Sequence, residues 1–317
     1  MIAVTGAAGF IGSNLALTLQ EYGAELLLVD HPLVAAKTAN FVGLNRFQFS
    51  DHLAFVKDLC EGRLTPIAIY HLGACSATTE LNWEYLTANN IDYTRRLWQY
   101  CTQKQIPYVY ASSAATYGDG SQGFDDATPP ETLTPLNLYG KSKNDFDIWA
   151  LQQSQSPPRW AGVKFFNVYG PREAHKGRMA SVALQTWKQI QATGGMKLFR
   201  STDAVYADGG QLRDFVFVQD CVNHLIWLAT HDHANGLYNS GTAAARSFLD
   251  LATAVFTALG KTPNISFMDM PADLAKQYQN YTQAVMTKLR SVSCDVPVTS
   301  LESGVKAYVE WLAQVGL

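Results

Sequence analysis

Residues 2–12 read IAVTGAAGFIG, and the next apolar run, residues 25–30, reads ELLLVD. The first stretch is a short β-type run that stops at glycines, and from Phe10 to Leu19 apolar residues recur at helical spacing. Strand, tight turn and helix, in that order, let backbone N–H groups and the helix dipole hold a pyrophosphate. Gly6, Gly9 and Gly12 are spaced G-x-x-G-x-x-G, one residue longer than the dehydrogenase fingerprint. A glycine trio alone also fits a turn that merely packs a strand on a helix. Asp30, ending the second buried run, favours a dinucleotide, because an acid there can bond adenine-ribose hydroxyls.

Working outward, residues 67–72 (IAIYHL) and 108–110 (YVY) read as further buried strands, with helical periodicity from Trp83 to Gln105 between them. Alternating β and α units on short links predict an α/β fold, a Rossmann-type doubly wound parallel sheet. From about residue 167 Pro and Gly punctuate shorter pieces, and 200–212 (RSTDAVYADGGQL) reads as an irregular loop. Residues 213–218 (RDFVFV) revert to a strand pattern, read as a return to the main sheet. The expected organisation is a dinucleotide-binding domain, 1–166 plus about 213–240, and a smaller, discontinuous α/β substrate-binding domain, 167–212 plus about 241–317.

With 317 residues and 47% hydrophobic content, the chain exceeds one typical domain and can bury a large core. A net charge of −3 and 16% charged residues exclude a broad basic field for nucleic acid or anionic membrane, so anion recognition has to be local. The five cysteines, Cys60, Cys75, Cys101, Cys221 and Cys294, are odd in number and widely spaced, against a disulfide framework or a zinc site. No metal is expected. The strand-like start at Ile2 and the lack of a membrane-length apolar run predict a cytoplasmic protein.

Residues 139–143 (YGKSK) place Tyr139 and Lys143 four apart, on one helix face. A free tyrosine, with a pKa near 10, is a poor base at neutral pH, and an adjacent ammonium stabilises its phenolate. Lys143 can also bond a cofactor ribose. Ser113, in YASSAATYG (110–118) just after a strand, can bond the hydroxyl that Tyr139 deprotonates. Y-x-x-x-K alone is more often a surface pair, but glycine trio, serine after a strand and Y-x-x-x-K stand here in the order of the extended short-chain dehydrogenases/reductases. Asp30 suits NAD, whereas Lys37, His31 and His52 offer cations for the 2′-phosphate of NADP, and these residues alone leave the choice open.

Longer segments narrow the resemblance. GFIGSN (9–14), GACSATTE (73–80), PLNLYGKSK (135–143), FFNVYGPREAHKGRMASVA (165–183), RDFVFV (213–218) and YTQA (281–284) resemble the ADP-L-glycero-D-manno-heptose 6-epimerases. REAHKG is the most specific part, since other sugar-nucleotide enzymes share only the preceding NVYGP. The resemblance implies bound NADP, an ADP-heptose substrate, formation of a lipopolysaccharide precursor, and a homo-oligomer, often a pentamer. It makes Lys176 a second acid/base facing Tyr139 across the sugar. Together, motif and resemblance place the cofactor against Gly6, Gly9, Phe10, Ile11, Gly12, Asp30, His31, Lys37, His52, Leu72, Gly73, Ala74, Cys75, Ser76, Asn89, Lys143, Val168 and Lys176. The substrate falls to Asn167, Arg178, Gln185, Phe199, Arg213 and Tyr278. Two departures stand out: His52 replaces a family lysine, and Gln185 falls near a family histidine.

No carbonyl neighbours the carbon to be inverted, so its proton cannot simply be removed. Oxidation at C-6″ and re-reduction from the other face solves this, with Tyr139 and Lys176 exchanging the hydroxyl proton from opposite sides. Lys176 must then spend time neutral, through burial or through the neighbouring cations Arg172 and His175. A 4,6-dehydratase would need carboxyl groups where Ala114 and Ala115 follow Ser113; a UDP-hexose 4-epimerase is disfavoured by REAHKG, and a non-catalytic dinucleotide-binding module by the intact Tyr139 and Lys143.

Overall fold

The computed structural model describes residues 1–31, 35–271 and 278–316. Its strands are β1 Ile2–Thr5, β2 Leu26–Asp30, β3 Phe47–Asp51, β4 Ala68–His71, β5 Tyr108–Ser113, β6 Trp160–Phe165, β7 Asn167–Tyr169, β8 Met196–Phe199, β9 Leu212–Phe217, β10 Gly236–Ser240, β11 Ala245–Ser247 and β12 Ile265–Met268. Seven form one sheet in the order β10-β6-β5-β4-β1-β2-β3, and every neighbouring pair is parallel. The order reverses direction between β1 and β4, which opens a crevice at the strands' C-terminal ends.

The side-chain period of two fills both faces of this sheet. Ala3, Leu27, Val29 and Ile69 join Phe55, Leu97 and Trp98 on one side. Val4, Leu26, Leu28 and Tyr70 join Leu15, Val222 and Leu225 on the other. A third core, with Leu184, Trp187, Phe215, Leu251, Val305 and Tyr308, belongs to the part beyond residue 167. The expected helix from Trp83 to Gln105 forms as Trp83–Leu86 and Tyr93–Lys104, joined by a π-helical turn at Thr87–Asp92.

Residues 213–218 do not return to the main sheet. β9 instead pairs with β7 and β11 in a separate three-stranded sheet. The chain re-enters the large sheet through the helix Val218–Thr230 and β10. Asp214 gives the reason. Fully buried, its carboxylate accepts from Thr242 N, Thr242 Oγ1, Ala243 N and Ala284 N at 2.7–3.0 Å. A buried acid needs such partners, and the junction between the two parts supplies them.

Candidate active site

Backbone builds the nucleotide end. Gly6 has φ +66°, and a Cβ there would lie 2.6 Å from Gly73 N and from the Leu72 carbonyl carbon. A Cβ on Gly12 would collide with the Gly6 carbonyl, and one on Gly9 would approach it to 2.9 Å. The helix Phe10–Glu21 starts at Gly9 without a side-chain cap, so its first turn presents N–H groups to an anion. These features fit a dinucleotide pyrophosphate.

Asp30 does more than await a ribose. Its Oδ2 accepts from Ala8 N at 2.9 Å, while Oδ1 accepts from His31 N and pairs with Lys37 Nζ at 3.0 Å. The acid thus braces the glycine loop, and its charge is matched by Lys37. The His31 and His52 rings lie 3.9 Å apart beside it, and partial burial, followed by the neighbouring His52, pulls His31 below its ordinary pKa.

One cavity of about 1730 Å³ runs from this end to the smaller part, large enough for a dinucleotide and a sugar nucleotide together. Every site residue expected from the sequence lines it, except Cys75. The Cys75 N–H and carbonyl are held by the side chain of Asn90, which also bonds Ser142 Oγ.

At the middle of the cavity, Ser113 ends β5 and Tyr139 and Lys143 project from the helix Leu138–Leu151, capped by Asn137 on Gly140 N. A Cβ at Gly140 would come within 2.7 Å of the Ala115 carbonyl, so glycine lets this helix close on the serine turn. Lys143 Nζ donates to the Ala111 carbonyl at 2.9 Å, and burial pulls its pKa down to about 8. Tyr139 corrects the expected lowering by Lys143: burial pushes the phenol up, and the opposing influence is its hydrogen bond with Ser113.

Lys176 sits in a short 3₁₀ segment, Ala174–Met179, that includes Gly177 at φ +55°. Burial lowers its pKa and the neighbouring Glu173 raises it. Of the two causes expected, burial or the cations Arg172 and His175, burial is the one that lowers it. Arg172, at φ +73°, instead donates to the carbonyls of Asn40 and Val42 at 2.5 and 2.8 Å. His175 Nδ1 lies 3.0 Å from Asn40 Nδ2 and 3.1 Å from the Arg172 carbonyl, and Asn14 donates to the Pro171 carbonyl at 3.0 Å. Glu173, fully buried, accepts from Ser181 N and Oγ at 2.6 and 2.5 Å and from Tyr308. The Lys176 loop is thus clamped from both sides.

Toward the smaller part, Arg213 lies 4.9 Å from the Tyr278 ring and 5.4 Å from Phe248, with no carboxylate beside it among the described residues. A buried guanidinium in this state fits an incoming phosphate. Gln185, expected as a substrate contact, donates to the Gly177 carbonyl at 2.9 Å. Asn89 donates to the Tyr85 carbonyl, and Asn167 Oδ1 accepts from Thr282. Asn14, Asn40, Asn90 and Glu173 were missed by the sequence reading. Asn14 and Glu173 lie within the quoted segments GFIGSN and REAHKG, whereas Asn40 and Asn90 carry no local signal.

The model of the NAD dependent epimerase/dehydratase family matches residues 2–241. The chain belongs to that family. A relative from Nitratidesulfovibrio vulgaris, named ADP-L-glycero-D-manno-heptose-6-epimerase, is 46% identical over 98% of this chain and 97% of its own. A Fusobacterium nucleatum protein of the same name is 43% identical over 98% of this epimerase/dehydratase and 97% of its own length. The solved Helicobacter pylori enzyme of that name superposes with a TM-score of 0.83 at 29% identity, covering 98% of this chain and 96% of the other.

Proposed function

We propose that the chain is an ADP-L-glycero-D-manno-heptose 6-epimerase, interconverting the D-glycero and L-glycero forms by transient oxidation at C-6″ with NADP. The observation that carries this reading is Lys176, a second proton-transfer group that lines the same cavity as Ser113 and Tyr139, in the segment REAHKG. The names of the relatives support it.

Backbone N–H groups at the Gly6–Gly12 turn hold the pyrophosphate, and Lys143 bonds the nicotinamide ribose. Lys37, with His31 and His52, reads the 2′-phosphate. Asp30 supports NADP over NAD, because its carboxylate already braces Ala8 and is charge-matched by Lys37. NADP, when bound, would supply the hydride acceptor and donor. Tyr139, with Ser113 oriented on the same hydroxyl, takes or returns the proton on one face of the sugar. Lys176 does so on the opposite face, its pKa lowered by burial in the direction that a base requires. Arg213 and Tyr278 grip the ADP.

We infer further that β9 belongs with the substrate-binding part and that the enzyme is cytoplasmic and homo-oligomeric, pentameric by its resemblance. Five free cysteines support a reducing compartment. Among the described residues no helix is long and apolar enough to cross a membrane.

The test is incubation with ADP-D-glycero-D-manno-heptose in D₂O. The 6-epimer should form without deuterium at C-6″, since the carbon-bound hydrogen travels as hydride and never meets solvent. No epimer, or turnover of UDP-hexoses instead, would overturn the substrate assignment. Stoichiometric deuterium at C-6″ would overturn direct oxidation and recast Lys176 as a carbon base.

A further inference from the structure

Tyr139 and Lys143 belong to a longer stripe. Asp147 lies four residues further on the same helix, so the three side chains occupy successive turns of one face. Asp147 is completely buried, and it accepts from Tyr110 Oη at 2.9 Å and from Ser112 Oγ at 2.7 Å. Its counter-ion is Lys164 of β6, 3.0 Å away and also buried. Lys164 in turn donates to Thr116 Oγ1 at 2.7 Å and lies 5.0 Å from the Tyr117 ring. Thr116 Oγ1 then donates to the Ser113 carbonyl at 2.8 Å, which closes a ring of bonds behind the catalytic serine.

The result is that the last four residues of β5 are each fixed: Tyr110 and Ser112 by Asp147, Ala111 by Lys143, and Ser113 by Thr116. Gly162 of β6 leaves the room that Tyr110 needs, since a Cβ there would collide with the phenol. Stability alone does not account for such a pair. Desolvating two charges costs about what their attraction returns, and apolar replacements of similar volume are often as stable. Its placement calls for a role in the site.

We propose that Asp147, clamped by Lys164, is a positioning residue: it holds the end of β5 against the Tyr139–Lys143 helix, so that Ser113 and Tyr139 address one substrate hydroxyl. This rests on the reading of Ser113, Tyr139 and Lys143 as catalytic. The carboxylate has a second consequence for Lys143. Burial pulls that ammonium down to about 8, and Asp147 is the leading opposing influence, with Cys75 a lesser one. His71, made neutral by burial, and Tyr139 are the other titratable groups around it. Removing Asp147 lets the Lys143 pKa fall further, so an activity that needs the ammonium is lost at lower pH.

The volume-matched double variant D147L/K164M leaves no buried charge unpaired. It should keep dinucleotide affinity and substrate KM within about twofold, lose kcat by at least roughly tenfold, as expected when alignment is lost, and move the alkaline limb of the kcat–pH profile to lower pH. Wild-type kcat and an unmoved limb in a folded D147L/K164M protein would overturn the proposal. If that variant does not fold, Y110F/S112A removes two of the three bonds to Asp147 without stranding a charge, and the same loss of kcat is expected; an unchanged kcat there would also overturn it. Y139F separates the two readings. If Y139F retains activity, the catalytic assignment itself fails; if Y139F is inactive while D147L/K164M is wild-type, only the positioning role fails.

Discussion

At the nucleotide end of the cavity the polypeptide makes the site from its own backbone: three glycines, an uncapped helix start and one brace from Asp30. At the Lys176 end, side chains from distant segments do the work. Asn14, Asn40 and Tyr308 hold residues 170–181 from three different places in the chain, and Ser181 closes the segment on Glu173. The first end tolerates little change in backbone shape but much in side chains. The second depends on a few long-range polar contacts, each replaceable by mutation. What separates them is whether the chemistry needs an N–H array, which any sequence provides once the turn forms, or an amine of lowered pKa, which needs a particular burial.

The largest effects should come from the proton-transfer groups, which both ends serve. Tyr139→Phe and Lys176→Met should each cut epimerisation by about 10²–10⁴-fold while leaving dinucleotide affinity intact. Full activity in Lys176→Met would return that residue to the role of a solvated loop lysine and dissolve the comparison. The sharper division comes next. Gly12→Ala, which forces a Cβ against the Gly6 carbonyl, should weaken dinucleotide binding by roughly 10–100-fold. Glu173→Gln, which mispairs the bonds from Ser181 and Tyr308, should instead lower kcat by roughly 10–100-fold with dinucleotide affinity nearly unchanged. Titration calorimetry and steady-state kinetics on both variants would break the comparison if they lost the same parameter. The smallest of these effects is one of choice rather than of rate. Lys37→Ala should reduce the NADP to NAD affinity ratio about tenfold, by removal of one charge-assisted contact. An unchanged ratio would move the 2′-phosphate contact away from Lys37.

Much of this was legible in the sequence because it is local. A strand, glycines and a helix in fixed order specify the pyrophosphate turn wherever they occur, and Y-x-x-x-K specifies one helix face by periodicity alone. The residues of IAVTGAAGFIG and YGKSK therefore fell where they were expected. β9 was misplaced because a strand pattern states that a segment is extended, not which sheet it joins. That choice was made by Asp214, whose four donors lie 28–70 residues away. The sign of the environment at Tyr139 was also beyond sequence. Its neighbour Lys143 suggested a stabilised phenolate, while the packed structure imposes burial first and raises the phenol; at Lys176, where burial and neighbouring cations were both open, burial is what lowers the amine. Asn40 and the Asp147–Lys164 pair teach the same point: their partners are remote in sequence, and a polar side chain acquires its role only when folding removes water and leaves a particular donor or acceptor in its place.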